Sequence, residues 1–379
     1  MKIERQTNLN RIFRGKRVWL TGDTGFKGSW LAFWLHRLGA EVLGIGLEPE
    51  TVDGPFVRAD LAGLIRHETA DIRDLDRMAD LAREFAPEVV FHLAAQALVR
   101  RSYTEPVETL DTNVRGTAHV LDAIRRAGCP CAVVVVTSDK CYENREEDYA
   151  YREDDPMGGH DPYSASKGCE ELVAASYRDA FFAPDGIVHL ATARAGNVIG
   201  PGDWAADRIV PDAVRAIRAG RPLSVRNPRA VRPWQHVLEP LGGYLRLGRA
   251  LLDRGADVAE AWNFGPDPAS ARTVGDLADL FCQTWGDGAA WQAAPDAANP
   301  HEAHLLQLSI EKAGARLGWR PKWDFDITVR RTATGYRSLL AAPDADAVRR
   351  FMADEIATYE IQSCSRNGAE TQRMTAKGS

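Results

Sequence analysis

The sequence has no long run of apolar residues. A helix that crosses a bilayer needs about 18 or more consecutive apolar residues, and no stretch of this 379-residue chain approaches that length. The N-terminal segment is polar and basic and has no apolar centre, so it predicts no secretory signal peptide. We therefore expect a soluble protein that stays in the cytoplasm.

Neither a strong net charge nor a regular cysteine pattern is present. The 47 basic and 53 acidic residues give a net charge of −6, which provides no reason to expect binding to nucleic acid or to an anionic membrane. The six cysteines have the spacing of neither a disulfide framework nor a zinc site, so we expect reduced thiols. His301 and His304 lack a carboxylate or cysteine partner at metal-binding spacing, and no metal is expected.

Short apolar runs do occur, and helical patterns separate them. Continuous apolar runs of this length are typical of parallel strands that are covered on both faces. The alternation predicts a doubly wound α/β domain with a parallel, Rossmann-type sheet. Strands are predicted at residues 17–21, 41–45, 89–94, 132–136, 188–195 and 261–264, and helices at residues 29–38, 106–127 and 163–182.

After Asn197 the composition changes: Pro, Trp and Arg become frequent, and the alternation of strand and helix patterns weakens. We assign residues 14–196 to the dinucleotide-binding domain, to which a segment at about 237–265 returns. Residues 197–236 and 266–350 are predicted to form a smaller α/β lobe that binds the substrate. The polar segment 363–379 is predicted to be disordered.

A glycine-rich turn lies between the first predicted strand and the first predicted helix. Glycines spaced three residues apart let a backbone approach a pyrophosphate, whose charge the N-terminus of a helix stabilises. The spacing is GxxGxxG rather than GxGxxG, so the prediction depends on the position of the turn. The turn residues predicted to contact the dinucleotide are Gly22, Thr24, Gly25, Phe26, Lys27 and Gly28.

Two further segments are predicted to contact the cofactor. Asp71, which precedes Ile72, either hydrogen-bonds the adenine amino group or is a solvated loop acid. Leu93, Ala94 and Ala95 end a strand and would let the cofactor lie close. No Asp ends the second strand, where a ribose-binding carboxylate is expected, but no basic cluster stands there either. The pattern therefore favours NAD over NADP.

Tyr163 and Lys167 stand one helical turn apart, soon after a strand that leads into Ser138, Asp139 and Lys140. The ordinary pKa of tyrosine, about 10, makes it a poor base at neutral pH. The Lys167 cation and a positive nicotinamide ring are expected to lower the pKa of Tyr163, so that it accepts the proton of an alcohol during oxidation. Asp139 and Lys140 add acid and base capacity that a simple alcohol dehydrogenase does not need. They predict a second chemical step.

Four arginines form a local basic group in a chain whose net charge is negative. Arginine binds phosphate oxygens bidentately, so the group predicts a nucleotide-sugar pyrophosphate site, although surface solubility would also explain it. Arg208 and Arg232 are the principal candidates. The full group is Arg208, Arg226, Arg229 and Arg232.

Together these motifs resemble the nucleotide-sugar 4,6-dehydratases of the extended short-chain dehydrogenase/reductase family, and most of all the members that act on CDP-glucose. The resemblance implies a lyase that recycles its NAD, with Tyr163 and Lys167 also contacting the cofactor. It further implies a homodimer through helices 106–127 and 163–182. It covers most of residues 14–325 through the segments TGDTGFKGSW (21–30), HLAAQ (92–96), TSDKCY (137–142), DPYSASK (161–167), RAGNVIG (194–200), RPWQHVLEP (232–240) and HEAH (301–304).

The resemblance implies a reaction in three stages and assigns a role to each motif. Tyr163 takes the proton of the sugar C4 hydroxyl while hydride passes to NAD, water is lost across C5 and C6, and hydride returns to C6. Ser138 matches a residue that helps to hold the C4 oxygen, and Asp139 matches the acid that protonates the departing C6 hydroxyl. Asn197 matches a polar contact to the substrate.

Lys140 stands where the broader dehydratase group has a glutamate base. An exposed lysine, with a pKa of about 10.4, is mostly protonated and is not a base at neutral pH. Lys140 therefore removes the C5 proton only if burial and nearby cations lower its pKa, and otherwise stabilises the enolate as a cation. Both roles stay open at this point.

Two other functions share most of these features. A nucleotide-sugar 4-epimerase has the same fold, cofactor and Tyr163–Lys167 pair but has no use for Asp139 as an acid. A non-catalytic NAD-sensing protein of this fold commonly loses the tyrosine or the lysine, and both are present here. The sequence does not fix the nucleotide base, so other nucleotide-sugar 4,6-dehydratases also remain alternatives.

Overall fold

Seven strands form the central sheet of the computed structural model, which describes residues 11–294 and 306–375. Each predicted strand is present, and the sheet gains one further strand, β3. The strands are β1 (Arg17–Thr21), β2 (Glu41–Gly46), β3 (Arg66–Thr69), β4 (Val89–His92), β5 (Cys131–Val136), β6 (Val188–Ala195) and β7 (Ala261–Phe264).

The strand order is β3-β2-β1-β4-β5-β6-β7, and every neighbouring pair is parallel. The order reverses between β1 and β4. In open sheets of this kind, ligands bind in the crevice beyond the carboxyl ends of the strands at such a reversal. The predicted doubly wound α/β class is confirmed, and it places the candidate ligand crevice beyond β1, β4 and β5.

Both faces of the sheet are covered, which explains why its strands are apolar at nearly every position. On β5, Val134 and Val136 contribute to one buried cluster with Trp30. Val133 and Val135 contribute to a second cluster on the other face. Because successive side chains of a strand point to opposite faces, a strand covered on both sides reads as a continuous apolar run.

The predicted helices are also present, and none in the described part of the chain is long and apolar enough to cross a membrane. The longer helices are α1 (Phe26–Arg37), α2 (Leu75–Phe85), α3 (Gly116–Ala127), α4 (Pro162–Tyr177), α5 (Ile209–Arg218), α6 (Leu238–Arg254), α7 (Val274–Trp285), α8 (Phe325–Ala341) and α9 (Ala345–Thr375). The shorter helical segments are Pro55–Arg58, Leu61–Gly63, Val99–Thr104, Pro106–Leu110, Asp111–Arg115, Asp139–Cys141, Arg178–Phe182, Ala183–Asp185, Gly255–Val258, Pro268–Ser270 and Ala313–Leu317.

Beyond β6 the chain builds a lobe from α5, α7 and α8, whose core includes Val214, Phe281 and Tyr336. Between these helices the chain returns to the sheet through α6 and β7, and β7 pairs with β6. The short strands outside the central sheet are Ala150–Tyr151, Val198–Ile199, Leu223–Val225, Val231–Pro233, Gln235–His236, Ala271–Thr273, Trp291–Ala293 and Gln307–Leu308.

The last helix, α9, packs against α1 of the sheet domain. Trp34 Nε1 donates a hydrogen bond to Glu360 Oε1 at 3.0 Å, and the rings of Trp34 and Tyr359 meet edge to face at 5.8 Å. The backbone of α9 follows a helix through Thr375, whereas the composition predicts disorder from residue 363 onward. The domain boundaries inferred from the sequence stay predictions.

Candidate active site

The glycine-rich turn brings β1, β4 and the N-terminus of α1 together. Gly22 has a φ of +78°, and a Cβ there would lie 2.7 Å from Ala94 N, so glycine is needed for this close approach. A Cβ on Gly28 would overlap the carbonyl oxygen of Gly22. Gly25 precedes α1 and provides no side-chain cap, which leaves the first N–H groups of the helix for an anion. This geometry suits a pyrophosphate.

Asp23, in the same turn, is a buried carboxylate that the sequence analysis did not single out. Its Oδ2 lies 2.7 Å from His67 Nδ1, and its Oδ1 has no hydrogen-bond partner among the described residues. A Cβ on Gly46, the last residue of β2, would lie 2.7 Å from that Oδ1. Asp23 thus occupies the space of the missing side chain at the end of β2, where this fold places its ribose-binding carboxylate. The residues that follow, Leu47 and Glu48, are not basic, so the site fits NAD better than NADP.

The other predicted cofactor contacts lie beside this crevice. Leu93 directly follows β4, and its backbone N–H donates to Thr21 O at 3.1 Å. Asp71 follows β3, but both of its oxygens accept hydrogen bonds from Arg73 at 2.6 to 3.0 Å, and this hydrogen bonding lowers the pKa of Asp71. Ile72 is buried. The adenine contact predicted for Asp71 stays a prediction, on a carboxylate that already has a partner.

Asn113 connects the candidate cofactor crevice to α4, the helix that carries Tyr163. Its Nδ2 donates to Gln96 O at 3.0 Å and to Ser166 Oγ at 2.8 Å, and its Oδ1 accepts from Gln96 N at 2.8 Å. All three residues are buried. These hydrogen bonds fix α4 relative to the segment that follows β4.

Ser138 and Asp139 follow β5 at the carboxyl edge of the sheet. Ser138 Oγ donates to Asp139 Oδ1 at 3.0 Å and accepts from Lys140 N at 3.2 Å, which holds the helical turn that begins at Asp139. Burial raises the pKa of Asp139, and the Lys140 cation opposes this effect only in part. A carboxyl group whose pKa is raised keeps its proton to higher pH. This environment suits the acid role predicted for Asp139.

Tyr163 lies in the first turn of α4, which Asp161 caps by accepting a hydrogen bond from Ser164 N at 2.9 Å. Its side chain is only 8% exposed. Burial raises the pKa of Tyr163, while the Lys167 cation and the hydrogen-bonding contact with Ser138 act in the opposite direction. The sequence predicts a lowered pKa; within the protein, the lysine has the expected effect but burial outweighs it.

Lys167 lies one turn beyond Tyr163, with Nζ 5.9 Å from the centre of the tyrosine ring. The amine donates to both carboxylate oxygens of Glu170, at 2.8 and 2.9 Å. The two side chains are 3% and 2% exposed. Glu170 is not among the residues predicted from the sequence, although it follows Lys167 by three positions on a predicted helix, a spacing at which side chains meet.

Two further lysines face the same region. Lys140 directly follows Asp139, and Lys27 extends from the glycine-rich turn. Burial, followed by the Arg208 cation, lowers the pKa of Lys27 to about 8. The charges of both lysines act on Asp139. The sequence predicts only a cofactor contact for Lys27, because the folding that brings the turn to Asp139 is not visible in a local motif.

A cavity of about 1320 Å³ joins the two parts of the molecule. Its volume exceeds the roughly 300–1000 Å³ typical of small-molecule sites, which suits a nucleotide sugar beside the nicotinamide end of a dinucleotide. Lys167 lies in the protein behind Tyr163. The predicted site residues that line the cavity are Lys27, Ser138, Asp139, Lys140, Tyr163, Asn197, Arg208 and Arg232.

The predicted basic group is only partly brought together. Arg208 and Arg226 line the cavity, where Arg208 lies 3.3 Å from Asp203 and Arg226 lies 3.1 Å from Asp207. Arg229 is exposed and lies outside the cavity lining. The interpretation of all four arginines as one group is therefore wrong for Arg229, whose side chain is exposed outside the cavity.

A metal site is not evident within residues 11–294 and 306–375, where no cluster of His, Cys, Asp and Glu has a suitable arrangement. His301 and His304, for which no metal is predicted, lie outside the described residues. The cysteines whose side chains are described are free thiols.

Comparison with known proteins agrees with this geometry. Residues 18–261 match the model of the NAD dependent epimerase/dehydratase family. The chain is 48% identical over 338 residues to the CDP-glucose 4,6-dehydratase of Salmonella typhimurium, covering 88% of this chain and 94% of that protein. It is 31% identical to the dTDP-glucose 4,6-dehydratase of Streptomyces antibioticus, over 84% and 91% of the two chains.

Solved structures show the same architecture. The dTDP-glucose 4,6-dehydratase DesIV of Streptomyces venezuelae, solved with NAD bound, matches with a TM-score of 0.71 at 25% identity. The match covers 85% of this chain and 97% of that one. NAD is the cofactor of this group of proteins and fits the crevice described above. The chain belongs to the NAD-dependent epimerase/dehydratase family.

Proposed function

We propose that this protein catalyses the 4,6-dehydration of CDP-D-glucose to CDP-4-dehydro-6-deoxy-D-glucose, an intermediate for deoxysugar biosynthesis. The observation that carries the proposal is the position of Ser138, Asp139 and Lys140 beside Tyr163 in one cavity. Tyr163 serves an oxidation, whereas Asp139 and Lys140 serve the removal of water. The 48% identity to the Salmonella enzyme supports the choice of CDP-glucose.

The first stage is oxidation of the sugar at C4. Bound NAD supplies the hydride acceptor for this stage and the hydride donor for the last. Tyr163 accepts the proton of the C4 hydroxyl, and Ser138 hydrogen-bonds the same oxygen. Lys167 lies close enough to favour the ionised tyrosine electrostatically.

The second stage removes water across C5 and C6. The ketone at C4 acidifies the C5 hydrogen, and Lys140 takes part in the removal of that proton, either as the base or as a cation that stabilises the enolate. Asp139 donates a proton to the C6 hydroxyl as it departs, a role suited to a buried carboxyl group with a raised pKa. With hydride returned from the bound cofactor to C6 and a proton returned to C5, the product would carry no net change in oxidation state.

We expect Lys140→Ala to abolish solvent deuterium exchange at C5 but to leave the transient reduction of NAD intact. The reason is that C4 oxidation needs Tyr163, whereas exchange at C5 needs the group that moves the C5 proton. Mass spectrometry of the sugar in deuterated buffer, with rapid-mixing absorbance of the cofactor, measures both. Lys27→Ala is the matched variant, since it removes the other lysine of the cavity. If deuterium exchange at C5 is retained in Lys140→Ala but lost in Lys27→Ala, the group that moves the C5 proton is Lys27 and not Lys140.

Asn197, Arg208 and Arg232 are proposed to contact the substrate, with the arginines on its pyrophosphate. We expect Arg208→Ala to raise KM for CDP-glucose about 10- to 100-fold, because a charge-assisted hydrogen bond contributes about 1.5–3 kcal/mol. Arg229→Ala is the control, since Arg229 is exposed outside the cavity. Steady-state kinetics that give equal KM values for the two variants would remove Arg208 from the site.

We also propose a homodimer in the cytoplasm. Val107, Leu110, Leu172 and Phe181 are 41% to 77% exposed and lie on the helical segments around α3 and α4. Exposed apolar residues on adjacent helices suit a helix-on-helix interface between two copies. Sedimentation at the mass of two chains supports this state, and a single-chain mass rejects it. The free thiols are consistent with a reducing compartment.

Incubation with NAD and a panel of CDP-, UDP-, dTDP- and GDP-glucose tests the proposed function. A 4-keto product from CDP-glucose, detected by its absorbance in alkali, is the expected result. Formation of CDP-galactose would support a 4-epimerase instead. A 4-keto product from another nucleotide alone would keep the reaction and change the base, and turnover of none would favour a non-catalytic NAD-binding protein.

A further inference from the structure

The lysine of the catalytic pair is attached to a buried carboxylate, Glu170, that has no role in the proposed mechanism. Glu170 accepts two hydrogen bonds from Lys167 Nζ and has no other hydrogen-bond partner among the described residues. Its neighbour Glu171 differs, because it binds Arg194 and Thr192 and so joins α4 to β6. A buried carboxylate whose only partner is a proposed catalytic group acts on that group.

The charged groups near Glu170 indicate how it affects Lys167 and Tyr163. Burial raises the pKa of Glu170 to about 7, and the Lys167 cation acts in the opposite direction. The charge of Glu171 also raises the pKa of Glu170, but it is offset by Arg194, the partner of Glu171. His92, which faces Lys167 from β4, is neutral, because burial and the Lys167 cation lower its pKa to about 3. At Tyr163 the Lys167 cation lowers the pKa and the Glu170 charge raises it. Glu170 therefore opposes the lysine at the tyrosine.

We propose that Glu170 is a positioning residue that orients the Lys167 amine behind Tyr163 and offsets the charge of that amine. The proposal rests on the catalytic roles proposed above for Tyr163 and Lys167. Glu170 makes two contributions under this proposal, one through its hydrogen bond and one through its charge. The hydrogen bond orients the amine, and the charge sets how strongly the amine favours the ionised tyrosine.

Two variants separate these contributions. Glu170→Gln keeps an oxygen that accepts a hydrogen bond from Lys167 but removes the charge, whereas Glu170→Ala removes both. We expect the acidic limb of the kcat/KM profile to move to lower pH in both variants, by about one pH unit, since a charge within a few ångströms changes a pKa by this order. NAD affinity, measured by fluorescence titration, should stay near the wild-type value in Glu170→Gln and weaken several-fold in Glu170→Ala, which leaves the lysine unoriented.

Asp179→Asn is the matched control, because it removes a carboxylate that continues the same helix but is 74% exposed. Its pH profile and NAD affinity should equal those of the wild type. An acidic limb of Glu170→Gln that is unchanged or moves to higher pH would overturn the proposal. Circular dichroism checks the fold of both Glu170 variants, and Glu170→Gln retains the shape of the native side chain if Glu170→Ala fails to fold.

A measurement without sugar keeps this proposal distinct from the proposed reaction. Ultraviolet difference titration against Tyr163→Phe reports the ionisation of the Tyr163 phenol directly. We expect that ionisation to move to lower pH in Glu170→Gln. If CDP-glucose is not dehydrated but the shift is present, the reaction is wrong and the role of Glu170 stands. If dehydration occurs without the shift, the proposed reaction stands and the proposed role of Glu170 is wrong.

Discussion

Asp139→Asn is expected to stop the reaction after C4 oxidation and to slow the formation of the 4-keto-6-deoxy product by about 100- to 10,000-fold, the usual contribution of a general acid. Asn has nearly the same shape and keeps an oxygen for the hydrogen bond from Ser138. Its amide has no acidic proton to give to the departing C6 hydroxyl. Rapid-mixing absorbance should therefore show reduced cofactor that persists, while the alkali assay shows little product.

Asp207→Asn is the control for this variant, since Asp207 lines the same cavity but is 47% exposed and paired with Arg226. It should form product at nearly the wild-type rate. Dehydration by Asp139→Asn at the rate of this control would show that another group, or water, protonates the C6 hydroxyl.

Tyr163→Phe is expected to block the reaction one step earlier. Without the phenol no group accepts the proton of the C4 hydroxyl, so the rate of cofactor reduction should fall by about 100- to 10,000-fold. Burial raises the pKa of Tyr163 and so moves its ionisation to higher pH. The working form of a base is the deprotonated one, so the wild-type rate of C4 oxidation should rise with pH through the tyrosine pKa. Single-turnover rates measured across pH should show this rise in the wild type and not in the variant.

Tyr103→Phe provides the comparison for this experiment, because Tyr103 also lines the cavity but is 44% exposed. It should retain both the rate and its pH dependence. Normal cofactor reduction by Tyr163→Phe would assign the C4 proton to another group of the cavity.

Local patterns were enough to predict the architecture and an oxidation followed by a second step, and the family resemblance implied the proposed reaction. The apolar strands and the glycine-rich turn are properties of a few consecutive residues, and Tyr163 and Lys167 meet because they are one helical turn apart. Ser138 and Asp139 follow a strand directly, so the sheet edge that they occupy is predictable as well. For these residues the backbone period alone fixes where the side chain lies.

The features of the site that the sequence did not predict depend on contacts between distant segments. The Asp23 carboxylate fills the space where a side chain at Gly46 would lie. The sequence at the end of β2 does not reveal this, because Asp23 belongs to a different segment. Lys27 approaches Asp139 only because the turn after β1 and the segment after β5 meet at one edge of the sheet. The sequence likewise could not separate Arg226 from Arg229, of which only the former lines the cavity.

The sequence by itself therefore determined the fold class, the family and the proposed Tyr163–Lys167 and Ser138–Asp139 motifs. Only the tertiary structure decided the electrostatic balance of the site, in which burial outweighs the lysine at Tyr163 and Glu170 opposes that lysine. The physical reason is that a motif specifies spacing along one element. Burial and charge depend on every element that packs around it.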